Sequence, residues 1–226
     1  MPIPDTTFAQ HLNLLCAGLF LLVTLGLIAT RQVLASVRIF ILQSCLLAVS
    51  AVLIGLVYGS PHLFAVAAIT VVTKVFLIPL FLRRRLGPDM HARREVDISV
   101  GIPTALLVAL GLTGFAYFVM HPLVQGTTAD ISANMPVGTA VLIVGSYAIL
   151  VRREALPQLM GLLAMENGAF LAGISIAPDL PLIAELAAAF DVIIIVVVLG
   201  LLTKKIHERI GHTTVGELDE LKEGEA

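Results

Sequence analysis

Residues 62–82 read HLFAVAAITVVTKVFLIPLFL, and Arg83-Arg84-Arg85 follow directly. A bilayer core about 30 Å thick is spanned by roughly 20 apolar residues in a helix, and this run supplies them with Lys74 as its single formal charge. The whole chain has the same character. It has 226 residues, 58% hydrophobic and 13% charged, whereas soluble domains carry about a quarter charged residues. So much apolar surface cannot be hidden in a water-bounded core of this size, so the surrounding medium is lipid. The arginine triplet ends the span at the headgroups.

Six further runs follow from the same criterion, giving candidate spans at 8–30, 38–58, 62–82, 98–120, 136–151, 157–176 and 182–203. Gly59-Ser60-Pro61, Gly87-Pro88-Asp89 and Pro178-Asp179-Leu180-Pro181 punctuate them as turns. The fold class is therefore all-α integral membrane, with seven transmembrane helices. Basic residues test the division independently. Arg31 and Arg38 flank the first loop, Arg83, Arg84, Arg85, Arg93 and Arg94 fill the third, Arg152 and Arg153 lie in the fifth, and Lys204, Lys205, Arg209 and Lys222 follow the last span. Thirteen of fourteen basic residues thus share one side, and Lys74 is the fourteenth. The positive-inside rule places the N-terminus outside and the C-terminus in the cytoplasm, which requires an odd number of spans.

The remaining features have simpler readings. Trp is absent, so orientation rests on basic residues rather than a Trp belt. Residues 1–10 lack the basic region and cleavage site of a secretory signal, so the first run is read as a retained helix. Cys16 and Cys45 fall in hydrophobic runs without CxxC spacing and are expected to be packing residues. The Arg-rich third loop reads as topology and lipid-headgroup contact rather than nucleic-acid binding. His62 and His121, beside Pro61 and Pro122, are expected at outer interfaces, and Asn13, Gln43 and Gln158 as hydrogen-bonding contacts between helices.

The informative residues are charges within spans: Lys74 in the third, Glu166 in the sixth, and Glu185 and Asp191 in the seventh. A charge at the bilayer centre costs about 2.5–3.5 kcal/mol on insertion scales, so each needs a partner, a water-filled cavity or neutralisation. Lys74 lies nine residues from Arg83, about 13 Å along a helix and too far to snorkel. Pro79 withholds the amide that would bond the Val75 carbonyl, which predicts a kink beside the amine. Glu166 is on a helix with Gly161, Gly168 and Gly173, which suits close packing against other helices. Lys74, Glu166 and Asp191 fall at one depth on three helices, the arrangement of a relay running in the membrane plane. Glu185 lies six residues before Asp191, about 9 Å nearer the outer surface, as a second station or an interfacial carboxylate. The competing reading of Lys74, Glu166 and Asp191 is a buried ion-pair cluster that holds the bundle together. A phosphate loop, a nucleophile elbow, an HExxH motif and a Cys/His set for iron–sulfur, haem or zinc are not found in the sequence. A retinal protein is set aside because it needs its lysine in the last span.

The stretches Thr73-Lys74-Val75-Phe76-Leu77-Ile78-Pro79-Leu80, Met165-Glu166-Asn167-Gly168, Phe190-Asp191 with the Ile/Val run after it, and Gly211-His212-Thr213-Thr214 carry a resemblance. Over nearly its full length the chain resembles component E of hydrogenase-4-type complexes. Its last three spans are also similar to the K subunit of complex I and its relative in multisubunit cation/proton antiporters. That second likeness runs from Val151-Arg152-Arg153 through Met160-Gly161-Leu162 to Asn167. The K family's usual carboxylates would fall at Leu163 and Phe190, with Glu166 three residues after the first and Asp191 beside the second. On this basis the chain divides into a four-helix region (1–130), a three-helix K-like region (131–210) and an acidic tail (211–226), either disordered or docked on a cytoplasmic partner.

The resemblance implies a prokaryotic inner-membrane subunit without catalytic residues, metal or cofactor of its own. Its partners would be antiporter-like membrane subunits and a hydrogenase module holding a nickel–iron centre and Fe–S clusters. The expected role is part of a proton or cation path through Lys74, Glu166, Asp191 and Glu185. The alternatives are a scaffold joining the antiporter-like subunits to the hydrogenase arm, a subunit of a multisubunit antiporter, and a stand-alone transporter.

Overall fold

The computed structural model describes residues 6–80, 82, 100–125 and 134–176, all within the first of two compact units, Met1–Ala188. The expected seventh span with Glu185 and Asp191, the arginines of the third loop and the acidic tail lie outside the described residues. Within those residues every element is helical: α1 (Thr6–Ala29), α2 (Val33–Tyr58), α3 (Pro61–Leu80), α4 (Ile102–Gln125), α5 (Asn134–Val151) and α6 (Ala155–Ile176). All six are long and apolar enough to cross a membrane.

The surface agrees with a lipid setting. Phe118, Leu107 and Leu150 are 70–80% exposed, while Asn13, Gln43, Ser44, Lys74 and Asn167 are buried. Polar groups inside and large apolar groups outside is the inverse of a soluble protein, and it is stable only where the solvent cannot hydrogen-bond. α1 and α2 pack as one antiparallel pair and α5 and α6 as another, with α2 against α6 and α1 against α5. Ala17, Phe20, Leu47, Ile54, Val141 and Leu171 meet in the central cluster. α4 lies at the edge of this arrangement. Its buried residues, Ala105, Ala109 and Ala116, form one small-residue stripe, and the first two pack with Ile28, Val144 and Ala148.

Several ends differ from expectation. α2 starts at Val33 rather than 38, because Val33, Ser36 and Val37 are buried in the bundle and Arg38 stays exposed on the helix instead of ending it. α4 runs on to Gln125 with Pro122 inside it. Pro122 has no amide for Phe118 O and its ring crowds that carbonyl, yet the helix continues past it, and the His121 and Gln125 side chains meet one turn apart at 3.3 Å. The turn at Gly59-Ser60-Pro61 is as expected: Gly59 has φ 65°, closing α2 in the left-handed conformation, and Pro61 opens α3. In place of a simple kink, α3 widens into a π-helix over Val71–Leu77, with Lys74 at its centre. The Ile78 amide donates to Thr73 O, five residues back. Pro79 then has no amide for either Lys74 O in the π register or Val75 O in the α register.

Candidate functional site

The π-helical turn carries Lys74 into the bundle, where the residue is only 3% exposed. Its Nζ lies 3.1 Å from Glu166 Oε1, with that side chain 11% exposed, and donates to Asn167 Oδ1 at 2.9 Å. Two neighbours on α6 thus share one ammonium. Consecutive helix residues point about 100° apart, so the cation must enter between them. Because one turn of α3 is widened, the long lysine arm can be aimed there without the regular helical spacing.

α6 is turned to present these residues by its contact with α5. A Cβ on Gly168 would meet Leu142 N at 2.5 Å, one on Gly145 would meet Met165 N at 2.5 Å, and one on Gly138 would meet Ala172 N at 2.5 Å. The two backbones therefore touch along Met165, Gly168 and Ala172. Glu166 and Asn167 are left on the flank that reaches α2 and α3. Gly161 also lies close to α5, at 3.1 Å from Ile149 N by the same measure, as its close-packing role anticipated.

Beyond the pair the polar contacts continue. Asn167 Nδ2 donates to Gln43 Oε1 and Ser44 Oγ of α2, both at 3.3 Å. Gln43 Nε2 donates to Thr24 Oγ1 of α1 at 2.7 Å, and Thr24 Oγ1 donates to Phe20 O at 2.8 Å. Four helices are thereby joined through buried groups. Gln43 is the helix-to-helix contact its sequence position suggested. Asn13 does the same between α1 and α2, accepting from Ser50 Oγ at 2.5 Å. Gln158 instead acts locally, donating to Arg152 O at 2.7 Å between α5 and α6. Sequence reasoning did not single out Asn167, Ser44 or Thr24 as site residues. A Ser or Thr in an apolar helix usually bonds its own preceding turn, so nothing in the sequence marks Thr24 as a cross-helix acceptor.

A second buried cation has another role. Arg152, between α5 and α6, is 3% exposed. Its Nη2 donates to Leu27 O and, at 3.0 Å, to Thr30 O. These carbonyls are at the C-terminal end of α1, where the helix leaves acceptors unsatisfied and its dipole favours a cation. Burial pushes the guanidinium below its ordinary value, yet arginine remains charged. The residue read as a topology signal is thus also a cap. Cys16 is buried and Cys45 half-buried, both as free thiols, and His62 and His121 are exposed. Among the described residues, no three His, Cys, Asp or Glu are grouped to hold a metal ion.

Comparison with known proteins covers nearly the whole chain. An uncharacterised protein of Mycobacterium tuberculosis is 28% identical over 207 residues, 92% of this chain and 94% of that one. Hydrogenase-4 component E of Escherichia coli is 27% identical over 206 residues, 91% of this chain and 95% of its own length, and that of Shigella flexneri matches to the same extent. The chain is a homologue of hydrogenase-4 component E. The expected likeness to component E is thereby borne out over nearly the full length of both proteins. The match runs along nearly the whole length of these relatives rather than over a fragment of them. No family model matches the chain, and no solved structure matches it significantly.

Proposed function

We propose that the chain is a non-catalytic membrane subunit of a hydrogenase-4-like, complex-I-related complex, and that its Lys74–Glu166 pair carries part of a proton path. One observation supports this above the others: a lysine buried at a π-helical turn lies 3.1 Å from a part-buried glutamate of another helix in a bundle of membrane-spanning length. Buried ionisable groups in membrane helices are expensive and mark ion pathways. An ammonium and a carboxylate in direct contact, shielded from water, feel each other's charge strongly. π-Turns in otherwise regular helices are frequent at functional sites. Asp191 and Glu185, on the last span, are the further stations of this reading, and the last three spans are its K-subunit-like part. Electron transfer belongs to partner subunits, with antiporter-like subunits as membrane neighbours, and the setting is the prokaryotic inner membrane.

A scaffold role is favoured by one specific observation: Lys74 is also tied to Asn167 and through it to α2 and α1, which would hold a bundle together without any proton moving. The double change Lys74→Met with Glu166→Gln separates the two, because it removes both charges and strands neither. In complexes that assemble normally, the relay reading expects redox-driven proton translocation in sealed vesicles to collapse. Normal translocation in those complexes would leave only the scaffold.

A further inference from the structure

The polar chain that begins at Lys74 has a direction, and the direction is forced. A lysine ammonium has three donors and no acceptor. The Asn167 atom facing it must be Oδ1, 2.9 Å away, which turns Nδ2 toward α2. There it donates to Gln43 Oε1 and Ser44 Oγ. With its oxygen so engaged, Gln43 offers Nε2 to Thr24 Oγ1, and the Thr24 hydroxyl gives its own hydrogen to Phe20 O. One cation on α3 therefore sets the orientation of three side chains on α6, α2 and α1.

Such a chain holds but does not conduct. A proton could travel along it only if each amide gained a proton on oxygen and lost one from nitrogen. The branch through Gln43 and Thr24 ends at a backbone carbonyl, which has no proton to give, and the Ser44 hydroxyl is reached only through the same Asn167 amide. When Lys74 loses a proton, the neutral amine keeps two N–H bonds and gains one lone pair. Asn167 Oδ1 still needs a donor, so an N–H stays on it. Turning the lone pair to that side would require Asn167, Gln43 and Thr24, all buried, to reorient together.

We propose that Asn167, Gln43 and Thr24 form a proton-closed clamp: they are positioning residues that hold one side of the Lys74 amine and turn its proton exchange toward Glu166. This rests on the relay reading above.

The test uses the assembled complex in sealed vesicles, with assembly checked on native gels and translocation measured across pH. Thr24→Val replaces the terminal hydroxyl with a methyl of similar size. It is expected to slow translocation by about two- to tenfold, the weight of one net hydrogen bond, and to displace the pH profile. Thr24→Ser, which keeps the hydroxyl, is expected to recover both rate and profile. Gln43→Leu should resemble Thr24→Val, whereas Glu166→Gln should abolish translocation. If Thr24→Val matches the unsubstituted complex in rate and profile while Glu166→Gln abolishes translocation, the clamp is wrong and the relay stands. If Gln43→Leu is as complete a block as Glu166→Gln in assembled complexes, the chain conducts and the closed end is refuted. Unimpaired translocation in Glu166→Gln would remove the relay reading and the clamp with it.

Discussion

Lys74 is 3% exposed and Glu166 11%, so either charge left without the other is poorly compensated. Breaking such a pair by removing one partner costs about 3–5 kcal/mol, while replacing both by neutral groups can be nearly free. Lys74→Met alone is therefore expected to lower the unfolding free energy in lipid nanodiscs by about that amount, with most of it recovered in the double change with Glu166→Gln. Strictly additive losses in that cycle would mean the two side chains are not energetically coupled. Arg152 presents the opposite case, a cation satisfied by carbonyls rather than by a carboxylate. Its two bonds to the end of α1 predict that Arg152→Gln destabilises by about 1.5–3 kcal/mol, the range for hydrogen bonds to charged groups. Protease cleavage after α1 should rise in parallel; an unchanged cleavage rate would show that the end of α1 does not depend on this cap.

At the scale of elements, the seam between α5 and α6 decides where Glu166 and Asn167 point. Gly138, Gly145 and Gly168 have no room for a Cβ, because backbone atoms of the facing helix lie 2.5 Å from where each methyl would stand. Gly18 and Gly111 have nothing within 4 Å. Gly168→Ala is expected to cost about 1–3 kcal/mol by overpacking and to disturb the Lys74 pair. Gly18→Ala should be neutral or stabilise by up to about 1 kcal/mol from helix propensity. Equal stabilities for the two variants in the same membrane mimic would contradict the close backbone contact. α3 adds a second element-level device. Its π-helical stretch, Val71–Leu77, is continuous with regular helix on both sides, so the extra width aims Lys74 while the span remains one helix.

For the whole molecule, the expected orientation rests on the thirteen basic residues that the reading of seven spans would place on one side. A periplasmic reporter fused after Gly126 is expected to be active and one fused after Pro88 silent; the reverse pattern would invert the topology. At this scale belongs the exposed apolar surface of α4, where Phe118 is 78% and Leu107 70% exposed, as befits a helix at a lipid-facing or subunit-facing edge. Mild detergent extraction from native membranes should bring the chain down with hydrogenase-module and antiporter-like subunits. Recovery solely as a free monomer would favour a stand-alone transporter.

The apolar runs and their basic boundaries determined by themselves that the chain is helical and membrane-bound, because a bilayer admits few other solutions for a backbone without water. The same reasoning marked Lys74 and Glu166, since a charge in an apolar run is visible without any neighbour. Their pairing was decided only by tertiary structure: 92 residues separate them, and helix periodicity carries no information between helices. The π-turn was also hidden, because Pro79 predicts a lost hydrogen bond but not the register that absorbs it. Thr24, Ser44 and Asn167 were the least legible. Small polar side chains bond their own helix as readily as another, and only the packing of α1, α2, α3 and α6 supplies the donor-only lysine that gives their chain its direction.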